Sequence, residues 1–143
     1  MHNDSVHLLG QCDAGIKMAL IAIDEVMPNA EDPKLRRTLH MSKTAHEELL
    51  QKTHQLLRLH NAPGKEPNLM AKGMNRLNAG VKLTFRPGDA SIADLVVSGC
   101  NMGIKNLHKY QNQYKAADCP SRDVADKLIG LEADLANSMY PYL

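Results

Sequence analysis

Gly10-Gln-Cys12-Asp13-Ala-Gly15-Ile16-Lys17 returns, loosely, as Ser98-Gly-Cys100-Asn101-Met-Gly103-Ile104-Lys105. The offset, 100 − 12, is 88 positions, and Leu8-Leu9 and Val96-Val97 precede the two copies at that same offset. Each copy falls early in a stretch with helical spacing, and a second helical pattern follows each. A helical hairpin used twice is a common way to build a four-helix bundle. The internal repeat therefore predicts an all-α chain made of two hairpins.

Working outward, the first helix is expected from about Ser5 to Met27, with Asn3 or Asp4 as N-cap and Pro28-Asn29 ending it. Val6, Leu9, Asp13, Ile16, Leu20, Ile23 and Met27 fall on alternating three- and four-residue steps, with one polar residue in the seam. Asp32-Pro33 opens the second helix, because Asp accepts from free backbone N–H groups and Pro is tolerated at the first helical position. Its stripe is Leu35, Leu39, Ser42, His46, Leu49, Thr53 and Leu56, and Asn61-Ala-Pro63-Gly64 stops it near His60.

Glu66 to Arg86 link the hairpins, and Met70, Met74, Leu77, Val81 and Phe85 predict a shorter amphipathic helix there. It carries Lys72, Arg76, Lys82 and Arg86, so it is either a solvated basic face or a site for an anionic partner. Arg86-Pro87-Gly88-Asp89 is a turn with Asp89 as the next N-cap. The third long helix is expected over about Ala90 to Tyr114, with Ile92, Val96, Val97, Cys100, Ile104 and Leu107 on its apolar side. Cys119-Pro120-Ser121 precedes the fourth, whose stripe is Val124, Leu128, Leu131, Leu135, Ser138 and Tyr142.

Composition narrows the function classes. A chain of 143 residues is a single-domain length that can bury a core without disulfides or metal. A formal charge of +1 gives no strong attraction to nucleic acid or anionic membranes. With no Trp and a single Phe, platforms for stacking bases are scarce. Cys12, Cys100 and Cys119 are odd in number and follow no CxxC spacing, which suits a reducing interior. The first residues do not read as a signal peptide, and no apolar run is read as long enough to span a bilayer. The expectation is a cytoplasmic, soluble protein.

Asn3-Asp-Ser-Val-His-Leu-Leu9, Cys12-Asp13-Ala-Gly15, Asp32-Pro33-Lys-Leu35 and Cys100-Asn101-Met-Gly103, taken together, resemble an uncharacterised bacterial family of ferritin-like bundles. Asp32-Pro-Lys-Leu-Arg-Arg-Thr-Leu39 is also similar, more weakly, to ferritin-like spore-coat proteins. The resemblance implies a single domain over 1–143: an up-down four-helix bundle of hairpins 4–61 and 90–143, joined by a crossover over 62–89 with a short helix in it.

Ferritin-like folds invite a di-metal site, which takes a Glu from each of two helices and a Glu-x-x-His from each of the other two. Here the nearest fit is Lys43-Thr-Ala-His46, with a cation where the carboxylate belongs. Glu132 is followed at i+3 by Leu135, and the third helix has no Glu, only Asp94, Asn101 and His108. The full constellation is absent. What remains is a non-enzymatic scaffold or interaction protein, homodimeric as bundles of this type usually are, with an unidentified protein partner. The alternative is a degenerate site for iron or manganese on Asp13, His46 and Glu132. The plainer reading pairs Asp13 with Lys17 one turn on, and keeps His46 as a hydrogen-bonded core histidine. Cys12 and Cys100 are either buried small hydrophobes or a facing redox pair. A third option, a hydrophobic ligand between helices, predicts a cavity near the paired glycines with Met70, Met74 and Met102.

Overall fold

The computed structural model describes residues 2–64 and 88–143. It contains four long helices, α1 (His2–Val26), α2 (Pro33–Leu59), α3 (Asp89–Gln113) and α4 (Cys119–Met139), with 3-10 turns at Met27–Asn29 and Tyr140–Tyr142. The helix expected between Glu66 and Arg86 lies outside the described residues. Every described element is helical, as the repeat and the periodicity predicted.

Chain direction follows from the contacts at the two ends. At one end the Ala116 N–H donates to Asp4 (3.0 Å) and the Asp118 N–H to Ser5 Oγ (2.8 Å), while His60 reaches Asp118. At the other, Asp89 accepts from the N–H groups of Glu31 (2.8 Å) and Asp32 (3.0 Å), and the Tyr142 hydroxyl donates to Asp32 (2.6 Å). So α1 and α4 run one way, α2 and α3 the other. The order is up, down, down, up, and residues 60 and 89 stand at opposite ends of the fold. α1 packs on α2, α3 and α4, and α4 on α2 and α3.

Helix boundaries depart from the sequence reading in three places. α1 begins at His2, so Asn3 and Asp4 are inside its first turn, and Asp4 binds the α3–α4 connection instead of capping. α3 is capped by Gly88, whose φ of 130° suits glycine, while Asp89 becomes the first helical residue and caps the α1–α2 connection. Cys119-Pro120-Ser121 forms the first turn of α4, with Asp118 as N-cap accepting from the Ser121 N–H at 2.9 Å. Asp32 caps α2 as expected. Asp89→Ala removes one acceptor from two backbone N–H groups and should cost about 1–2 kcal/mol, measured by urea denaturation.

The apolar stripes meet in two clusters. One contains Leu8, Leu9, Ile16, Leu57, Val124 and Leu128; the other contains Ile23, Leu35, Leu39, Ile92, Leu135 and Met139. On α4 the buried ladder steps Leu128, Glu132, Leu135, Met139, whereas Leu131 is half-buried and Ser138 exposed. The expected stripe therefore fails where it avoids a charged residue. Only four residues of α3 are buried, Ile92, Ala93, Cys100 and Leu107, against seven of α2.

Contrary to the sequence expectation, the segment Asn3–Asn29 is long and apolar enough, by length and composition, to cross a membrane. Its most apolar window is 44% buried, because its sides pack on the other three helices.

Candidate functional site

The buried ionisable residues Asp13, His46 and Glu132 fall into two clusters, both resting on α2. Asp13 on α1 is fully buried at the seam position that the periodicity assigns it. Lys17, one turn later, donates from Nζ to Oδ2 at 3.0 Å, and His54 Nε2 lies 2.7 Å from Oδ1. An ionised carboxylate only accepts, so His54 donates here. The chain after α2 then closes over the pair: a Cβ built on Gly64 would stand 2.6 Å from Asp13 Oδ2, so only glycine fits this approach without a shift. The Asp13–Lys17 contact is the pairing read from the sequence. His54 is the residue that reading missed, since nothing in local spacing connects positions 13 and 54.

The second cluster occupies the junction of the two apolar clusters. His46 on α2, between Leu39 and Leu49, is fully buried, and its Nδ1 lies 2.8 Å from the Ser42 carbonyl oxygen and 3.3 Å from Ser42 Oγ. Its Nε2 faces Glu132 Oε1 at 3.6 Å, longer than a formed hydrogen bond. Glu132 on α4 is itself buried, and Gly103 on α3 lies against its carboxylate. Burial pushes the His46 pKa down, but the Glu132 carboxylate and the Ser42 carbonyl together outweigh it and leave it raised. The thiol of Cys100 is raised by burial and then by the charge and hydrogen bond of Glu132. Cys12 is pushed up to about 12 by burial and by neighbouring Asp13. Both cysteines are free and buried, Cys12 in the first apolar cluster and Cys100 in the second, so they do not form the facing pair.

The three residues singled out as possible metal ligands are thus divided. His46 and Glu132 adjoin each other; Asp13 belongs to the cluster at His54, eight residues or about 12 Å further along α2. Among the described residues, no three His, Cys, Asp or Glu side chains are grouped so as to hold a metal ion. Lys43 reaches across to Asp24 on α1 at 2.9 Å, and that carboxylate raises its pKa.

Other sequence expectations are corrected here. Asn101, the repeat partner of Asp13, is exposed, as are Asp94 and His108, because α3 buries a narrower stripe than α1. Met102 is 66% exposed, so it lines no internal cavity, and Met70 and Met74 lie outside the described residues. Two open surface depressions are lined by Gln111, Cys119 and Arg122 with their neighbours, and by Leu20, Thr44 and Glu47 with theirs; neither includes Asp13, His46 or Glu132. Compared with family models, with curated proteins and with solved structures, the chain matches none of them.

Proposed function

We propose that this chain is a ferritin-like four-helix bundle acting as a non-enzymatic scaffold or interaction protein, cytosolic and homodimeric. The helix order supports the ferritin-like reading: up, down, down, up, with one long connection between residues 60 and 89, is the arrangement of bundles with a single crossover. One observation carries the non-enzymatic reading. Both buried carboxylates, Asp13 and Glu132, are faced by cationic or titratable partners of this same chain, Lys17 and His54 in one case and His46 in the other. Such internal pairs fix register and helix order, a role polar seam residues commonly serve.

Metal content decides between this reading and an iron or manganese site on Asp13, His46 and Glu132. Plasma mass spectrometry on protein purified without chelators, from cells grown with added iron and manganese, should find well below one metal per chain. Asp13→Ala and His46→Ala should change stability and leave that value where it is. A stoichiometric metal lost in either variant overturns the scaffold reading. Light scattering after size exclusion should give the mass of two chains, and a one-chain mass removes the homodimer.

A further inference from the structure

We propose that the His46–Glu132 contact is a proton-operated latch between α2 and α4, closed when His46 Nε2 carries a proton and released when it does not.

The argument is one of donors and acceptors. The Ser42 carbonyl oxygen, 2.8 Å from His46 Nδ1, can only accept, so Nδ1 keeps its hydrogen in either charge state. A neutral ring then has a bare lone pair at Nε2. That atom is enclosed, has no hydrogen-bond partner, and faces Glu132 Oε1 at 3.6 Å. A lone pair against a carboxylate repels; an N–H⁺ against it attracts, and strongly where water is excluded. With Glu132 ionised, only the protonated ring satisfies the junction.

His40 on α2 is exposed, and neither His54 on α2 nor His60 at its C-cap shares this property. His54 and His60 meet Asp13 and Asp118 through Nε2 at 2.7 and 3.2 Å, and a neutral ring protonated at Nε2 serves both contacts. Among the described residues the charges around His46 are few. Glu132 comes from α4, and the Cys100 thiol of α3 stays protonated against it. On α1, Asp13 is engaged by Lys17 and His54, and Asp24 by Lys43. Because the folded pKa of His46 lies above its unfolded value, its stabilisation is complete below about pH 6.5 and is lost as pH rises through the raised folded value. The latch therefore opens on the alkaline side. It sits between the two apolar clusters, so release loosens the α2–α4 seam at mid-height.

The test uses the full chain after EDTA treatment, which removes metal as a cause of any pH dependence. Nitrogen-15 NMR of the imidazole should show Nδ1 protonated throughout and Nε2 losing its proton only above pH 6.5. The melting temperature should fall between pH 6 and 8.5. His54→Gln should keep that fall, and His46→Leu with Glu132→Met should abolish it. A neutral His46 carrying its proton on Nε2 overturns the latch, as does a double variant that melts with the wild-type pH dependence. Should the double variant not fold, the tautomer and titration of wild-type His46 decide alone.

Discussion

Glu132→Ala should destabilise the fold by about 3–5 kcal/mol, the largest effect expected of any single polar residue here. Glu132 is buried, and its carboxylate is what the enclosed Nε2 of His46 faces. Truncation leaves that imidazole charged without a partner or neutral without a hydrogen bond, and opens a cavity beside Gly103 as well. The pair is nonetheless a weak net contributor. Two groups removed from water lose hydration that their mutual attraction only partly restores, so an apolar replacement of similar volume often does as well or better. His46→Leu with Glu132→Met should accordingly regain most of the loss and unfold in urea within about 1 kcal/mol of wild type. A single variant that costs less than about 1 kcal/mol would mean that His46 finds another partner. A double variant as unstable as the single would mean that the pair contributes more at this seam than apolar packing of the same volume can.

This pair also marks the limit of what the sequence discloses. Elements whose signals are local are legible in it. Asp32-Pro33 caps and opens α2 by chemistry confined to three residues, and the stripe from Leu35 to Leu56 is buried nearly as written. Asp13 and its i+4 partner Lys17 are legible for the same reason. Residues whose roles depend on distant partners are not. Asp89 is an Asx residue before a helix, yet it caps a connection 57 and 58 residues away. Glu132 falls outside the apolar stripe read for α4, because its reason for facing inward, His46, is on another helix; only the metal-site alternative set the two together. The repeat, too, misleads locally: Cys12 and Cys100 are both buried, but the neighbours Asp13 and Asn101 part company, because α1 is covered on more sides than α3.

Asp13→Ala should cost about 3 kcal/mol, and the loss should trace mainly to His54 and little to Lys17. Both contacts are short, 2.7 Å to His54 and 3.0 Å to Lys17, so distance alone does not separate them. Geometry along the chain does. Lys17 is four residues from Asp13 on the same helix, and its link exists whether or not α2 is docked, so it stabilises α1 by only a few tenths of a kcal/mol. The His54 bond joins α1 to α2, is made only on folding, and ends on a carboxylate with no access to water. Its coupling energy in a double-mutant cycle of Asp13→Ala and His54→Ala should be about 1–3 kcal/mol, against about 0.5 kcal/mol or less for Asp13→Ala with Lys17→Ala. The reverse ranking would make Asp13 a helix-stabilising surface-type pair that happens to be buried. The expected ranking makes it the bolt of the first hairpin, with Gly64 so close over its carboxylate that any Cβ there would force a shift.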